Sequence, residues 1–210
     1  MRDIQEIKKE AKFNKVPIIF DDTASFLSDL VRGKKPKRIL EIGTAVGYSA
    51  FVMLSAYEKS RLITIEIDKD RIKQAKENLK NFKSRVKIIN GDAGEVIKKL
   101  RGKFDLIFLD GPKGKYGDYF DYLIPLLAPS GCLVADNIYF HGVAIGKKPC
   151  TRGMRAMIKG LHEFVVWSKI SKYKVEEFPQ GDGILVLTKE IANGWAFIAS
   201  WKCRKVKSGD

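Results

Sequence analysis

Cysteine is scarce in this chain of 210 residues: Cys132, Cys150 and Cys203 are scattered and form no CxxC pair. Neither a zinc site nor a disulfide framework is expected from that spacing. No apolar run approaches the ~20 residues that span a bilayer. Residues 1–15 are charged and lack the apolar stretch of a signal peptide. A cytoplasmic protein with no membrane partner is the expectation. Histidine is nearly absent too: His141 and His162 are the only two, and the sequence gives neither a partner nor a role. No internal repeat or low-complexity linker breaks the chain. Its 45% hydrophobic and 30% charged residues suit one ordinary globular domain with a full-sized core.

Acidic residues are also in deficit. Lys and Arg number 39 against 25 Asp and Glu, a formal net charge of +14. That balance attracts polyanions, but it equally describes a lysine-rich solvated surface, and charge alone does not choose between them.

The order of the chain is more decisive. Residues 1–13 read as a polar helix and 21–32 as a second, with Asp21 or Asp22 as its N-cap. Beyond the turn at Lys34-Lys35-Pro36-Lys37, short apolar runs (38–42, 62–67, 86–89, 104–109, 131–135) alternate with helical stretches (48–57, 69–82, 93–100, 116–127). Alternation of this kind means βαβ units, a parallel sheet and right-handed crossovers, hence a doubly wound α/β fold. A helix over 152–167 then precedes two strands, 173–178 and 184–188, joined by the Gly-rich turn Pro179-Gln180-Gly181-Asp182-Gly183. This hairpin predicts an antiparallel closing strand on an otherwise parallel sheet. The domain is expected to occupy 1–188, with 1–35 as its helical front, followed by an aromatic and basic tail, 189–210. The tail's alternatives are docking on the domain, pairing in a dimer, touching RNA, or a disordered extension.

The first strand runs into Glu41-Ile42-Gly43-Thr44-Ala45-Val46-Gly47 and a helix. Glycines at such a bend let backbone approach a ligand, and the helix start offers free N–H groups. The spacing is GxxxG after an acid, unlike the GxGxxG of dinucleotide enzymes. A methionine moiety needs one anion-binding and one cation-binding feature; Ser49 with the helix N-terminus suits its carboxylate and Glu41 its amine. A simple tight turn is the plainer reading. Glu66 ends the second strand at the spacing where an acid meets ribose hydroxyls; Asp68 suits the following N-cap better. Asp92 and the Ala93 N–H follow the third strand and are adenine candidates.

These segments, with Phe108-Leu109-Asp110-Gly111-Pro112-Lys113 and Ala135-Asp136-Asn137, resemble the metal-dependent O-methyltransferases of the catechol and caffeoyl-CoA type, over about 16–188. Within that family the chain looks most like the bacterial tRNA 5-hydroxyuridine methyltransferases, on Val16-Pro17-Ile18-Ile19, the loop 136–142 and Thr151-Arg152-Gly153-Met154-Arg155. The resemblance implies a seven-stranded Rossmann-like methyltransferase sheet and S-adenosylmethionine held by Val16, Glu41, Gly43, Gly47, Ser49, Glu66, Asp92, Ala93 and Asp110. It also implies a homodimer, and Lys113 as the base beside Asp110 and Asn137. The family normally stops soon after its last strand, so the tail departs from the pattern.

Asp110 and the pair Asp136-Asn137 end the fourth and fifth apolar runs, which a parallel sheet can set about 4.8 Å apart where ligands bind. Two carboxylates and an amide oxygen are hard ligands that suit Mg²⁺; the plainer reading has Asp110 holding cofactor and Asp136 capping a turn. Lys113 can take a proton or stabilise an oxyanion. A catechol and a 5-hydroxyuridine both offer two vicinal oxygens, so the metal chemistry does not separate them. The basic balance tilts toward tRNA, with Arg32, Lys34, Lys35, Lys147, Lys148, Arg152 and Arg155 as phosphate candidates flanking the mouth and Tyr116, Tyr139 and Phe140 as stacking candidates, core packing being the equal alternative for each. The expected reaction is methylation of anticodon 5-hydroxyuridine to 5-methoxyuridine, the alternative a small phenolic acceptor. A non-catalytic RNA-binding protein on the same fold is a third reading; intact Asp110, Lys113, Asp136 and Asn137 speak against it.

Overall fold

A computed structural model describes residues 3–171 and 173–189 of the chain; nearly all of the tail discussed above lies outside them. Helix α1, Ile4–Phe13, starts on a capping box in which Asp3 and Glu6 satisfy each other's backbone N–H groups. Helix α2, Asp21–Lys34, is not capped by Asp21 or Asp22 as expected: Phe20 holds the N-cap with no side-chain bond. Asp22 Oδ2 instead accepts the Gly181 N–H at 2.7 Å, a partner from the far end of the chain that local sequence does not reveal.

The alternating segment forms β1 Arg38–Ile42, α3 Tyr48–Ala56, β2 Arg61–Glu66, α4 Lys69–Asn78, β3 Val86–Asn90, α5 Ala93–Lys99, β4 Phe104–Leu109, α6 Tyr116–Leu126 and β5 Leu127–Ala135. Asp68 caps α4 by accepting the Asp70 and Arg71 N–H groups. Strand β5 begins earlier than its apolar run because Leu127 pairs with Phe104 before an irregularity carrying exposed Pro129 and Ser130. Helix α7, Arg155–Ile170, and the hairpin β6 Lys174–Phe178 and β7 Ile184–Thr188 complete the domain.

The sheet has seven strands in the order β3-β2-β1-β4-β5-β7-β6. β3 through β5 pair in parallel, and β7 pairs antiparallel with both β5 and β6. Side chains alternate across it, so β1 sends Ile39 to one face and Leu40 and Ile42 to the other. Ile39, Phe108 and Val134 meet Leu27, Val31 and Met53 from α2 and α3. Leu40, Leu109 and Leu133 meet Tyr116, Leu123 and Phe164 from α6 and α7. Burial on both faces explains the near-continuous Ile, Leu and Val of the central strands. The crossover from β3 back to β4 reverses the winding beside β1, and ligands bind outside the strand ends at such a point. No helix among the described residues is long and apolar enough to cross a membrane.

Candidate active site

A cavity of about 480 Å³ opens at the carboxyl ends of the parallel strands, within the range of ~300–1,000 Å³ common for small-molecule sites. The turn after β1 forms its floor. Gly43 has φ +98°, and a Cβ there would run into the Asp110 carbonyl. Gly47, φ +83°, faces Leu79 and Ala75 of the neighbouring helix rather than the cavity. Glu66 lies at the wall with its carboxylate fixed by three backbone donors: the Ala45 N–H on Oε2 at 2.8 Å, and Ile67 and Asp68 on Oε1 at 2.9 and 3.0 Å. Asp92, which caps α5 through the Glu95 N–H, and Ala93 line the same end. Tyr119 of α6 joins them, its hydroxyl pushed up to about 12 by burial and then by Asp92.

Glu41 and Ser49 do not reach the cavity wall, which corrects their expected contact with a methionine moiety. Ser49 Oγ and Thr64 Oγ1 each donate to the fully buried Glu41 carboxylate at 2.6 Å. Desolvation pushes Glu41 up to about 7 despite those bonds. Val16 also points off the wall and packs against the core; its neighbours Pro17, Ile18, Ile19 and Phe20 line the cavity instead.

At the opposite end β4 and β5 deliver Asp110 and Asp136 side by side, since Leu109 pairs with Ala135 and the Asp136 N–H donates to Leu109 O. Asp136 is fully buried and, unlike Asp110 and Asn137, does not itself line the cavity; Oδ1 accepts the Asn137 N–H at 2.8 Å and Oδ2 has no partner. Burial, then the Asp110 charge, push its carboxyl up to about 7, with Lys113 opposing. Lys113 Nζ donates to Asp110 Oδ1 at 2.6 Å and to the Tyr116 hydroxyl at 2.9 Å. Burial presses the Lys113 ammonium toward neutrality, while Tyr116 and Asp110 act the other way and raise it above the ordinary lysine value. A charged Lys113 beside Asp110 can stabilise an oxyanion, and a neutral one can take a proton.

Among the described residues no three His, Cys, Asp or Glu side chains form a ready-made metal cage. The two carboxylates and the Asn137 amide nevertheless fit a hard cation, which takes one or two carboxylates and keeps several waters. The orphaned Asp136 Oδ2, buried against a second carboxylate, is the observation that supports this: a buried charge without a partner is costly unless a cation meets it.

Several aromatic and basic candidates sit elsewhere. Tyr116 is wholly buried, its hydroxyl 2.9 Å from Leu109 O and 3.2 Å from Asp136 O, so it cannot stack on a ligand. The Tyr139 ring lies over Gly183, outside the cavity, because a Cβ at Gly183 would sit 2.6 Å from it. Phe140 does line the cavity. Arg32, Lys34 and Lys35 end α2, whose 14 residues carry the chain about 20 Å away from the Phe20 wall. They sit at the amino ends of the strands and do not flank the mouth; Arg32 pairs with Asp29 there at 3.6 Å. Lys147, Lys148, Arg152 and Arg155 follow β5 on the cavity side, exposed and without an ion pair among the described residues.

Among the polar wall residues, Tyr119, Arg71, His141 and Asp182 escaped the sequence reading. Asp182 carried a usable signal. β7 runs antiparallel to β5, so the β6–β7 turn must return to the carboxyl ends of the parallel strands.

This sheet order, with an acid closing β2 and a carboxylate pair closing β4 and β5, defines an α/β methyltransferase fold. A family model described as O-methyltransferase matches residues 1–190. A catechol O-methyltransferase of Niastella koreensis is 35% identical over 140 residues, covering 62% of this chain and 63% of that protein. The matched stretch is thus just under two thirds of that relative's length. A Staphylococcus aureus structure, provisionally assigned as a caffeoyl-CoA O-methyltransferase, superposes with TM-score 0.81 at 31% identity over 90% of this chain and 93% of that one. The S-adenosylhomocysteine-bound methyltransferase PaMTH1 of Podospora anserina gives 0.74 at 27% identity over 89% and 88%. The chain belongs to the O-methyltransferase family.

Proposed function

We propose that this chain transfers a methyl group from S-adenosylmethionine to an oxygen that has a vicinal oxygen neighbour, with a divalent cation at Asp110, Asp136 and Asn137. The carrying observation is the partnerless Asp136 Oδ2, fully buried and itself off the cavity wall, next in sequence to Asn137, which lines that wall with Asp110 and Lys113. Glu66, Asp92 and Ala93 line the other end and are assigned to the ribose and adenine. In the reaction the acceptor hydroxyl first gives its proton to solvent, the acceptor O–C bond forms as the sulfonium C–S bond breaks, and a neutral thioether remains. When bound, the cation would lower the pKa of an acceptor hydroxyl. Lys113 keeps its proton and stabilises the developing oxyanion, while Phe140 and residues 17–20 hold the acceptor ring against the wall and limit water.

We assign the acceptor to 5-hydroxyuridine in a tRNA anticodon. Residues 137–162, adjoining the cavity, contain no Asp or Glu but carry Lys147, Lys148, Arg152, Arg155 and Lys159, a phosphate-attracting border. A free catechol is the second reading, favoured by the Niastella koreensis relative. The test is transfer of labelled methyl to tRNA bearing 5-hydroxyuridine and, separately, to catechol, with Mg²⁺ or with a chelator. Chelator-sensitive labelling of tRNA is the expected result. Labelling of catechol alone would move the acceptor to small phenols, and labelling indifferent to chelator would remove the cation.

A further inference from the structure

The loop after β5 is built from backbone conformations that side chains avoid. Asn137, Phe140 and His141 have φ of +58°, +45° and +54°, and all three line the cavity. Non-glycine residues stay in that region only where their surroundings over-determine them.

The surroundings here are one turn of the β6–β7 hairpin. The Ile138 N–H donates to Gly183 O at 3.0 Å and the Tyr139 N–H to Asp182 O at 2.9 Å. The His141 N–H donates to Asp182 Oδ2 at 2.5 Å, with the imidazole Nδ1 3.5 Å from the same oxygen. The Asp182 side chain is only 11% exposed. The turn is itself tied down, because the Gly181 N–H donates to Asp22 Oδ2, two residues beyond the Phe20 wall. The hairpin turn therefore touches both walls that enclose the acceptor end.

We infer that Asp182 is a positioning residue that latches the 137–142 loop in its left-handed conformation and so sets the acceptor-side wall. The purpose of that wall rests on the methyl-transfer reading above; the latch stands on geometry alone. Two of its three bonds run backbone to backbone and any residue at 182 would make them. The bond to the His141 N–H depends on a side-chain oxygen, and it holds a stretch in which three residues of positive φ, Phe140, His141 and Gly142, follow one another. Farther along, His162 Nε2 lies 2.6 Å from Ala144 O, so loss of Asp182 loosens the near end of the loop without detaching the whole. The ends of the cavity at Glu66 and Asp92 hang on β2, β3 and α5 and share no bond with this turn.

The test compares wild type, Asp182→Ala and Asp182→Asn by hydrogen exchange of the resting protein and by steady-state kinetics with catechol and with tRNA bearing 5-hydroxyuridine. Asn keeps an acceptor oxygen at the same reach without the charge. The alanine variant should exchange on the order of tenfold faster over residues 138–142, as expected for one lost side-chain-to-backbone hydrogen bond. Its acceptor KM should rise by a similar factor, with the KM for S-adenosylmethionine within about twofold of wild type; Asn should restore both. Wild-type exchange in the alanine variant would overturn the latch. So would an asparagine variant as loose as alanine, which would make charge the operative property, or equal losses in both KM values. If wild type methylates neither acceptor, the functional reading fails by itself, and the exchange comparison still decides the latch.

Discussion

Glu41 is a carboxyl sealed beneath the cofactor turn with two hydroxyl donors and no countercharge. Burial raises it from the ordinary carboxylate value to about 7. A carboxyl whose folded pKa exceeds its unfolded one binds protons more tightly in the native state, so its contribution to stability is present at low pH and is lost as pH rises through about 7. Glu41→Gln mimics the protonated form in shape and removes the titration. Wild type should therefore lose stability relative to Glu41→Gln between roughly pH 4.5 and 7, by on the order of 3 kcal/mol at most. Urea denaturation at several pH values checks it, and parallel curves for the two proteins would place the titration elsewhere. The sequence offered Glu41 as a cofactor ligand because an acid before a glycine turn has that chemistry; whether it faces outward or inward depends on Ser49 and Thr64, which lie 8 and 23 residues away.

At the scale of the element, the turn between β1 and α3 was legible in full: strand, bend and helix fall where the apolar run and the glycines put them. Gly43 is required twice, by its positive φ and by the Asp110 carbonyl against its missing Cβ. Gly43→Ala should destabilise the protein by on the order of 2–3 kcal/mol and weaken cofactor binding, read by chemical denaturation and calorimetry. Gly153→Ala, with open space around its Cβ position, is the near-neutral control. The hairpin was legible as a hairpin, and the antiparallel pairing of β7 with β5 follows from it. Helix starts were mixed. Asp68 caps α4 because its donors are its own neighbours, whereas the acid at the start of α2 is drawn away to Gly181.

For the whole molecule, net charge says less than its placement. Lys34 and Lys35 and the basic stretch 147–155 read alike in sequence, yet the former lead into β1 at the amino ends of the strands and the latter follows β5 from its carboxyl end. Lys147→Glu with Arg155→Glu should weaken tRNA binding more than Lys34→Glu with Lys35→Glu. It should also flatten the dependence of log affinity on log salt by about 1 to 2. Fluorescence anisotropy across a salt series separates the pairs, and equal losses would reduce the attraction to net charge alone. The sequence by itself determined the alternating architecture, the family, the order of acids along the strand ends and the adjacency of Asp110 to Asp136, because each follows from local periodicity and from the parallel pairing it enforces. Only the tertiary structure decided which of those groups face the cavity. It sealed Glu41 inside, settled Tyr116 in the core, sent the α2 lysines to the wrong end and brought Asp182 to the wall, since burial and facing are set by contacts between residues far apart in the chain.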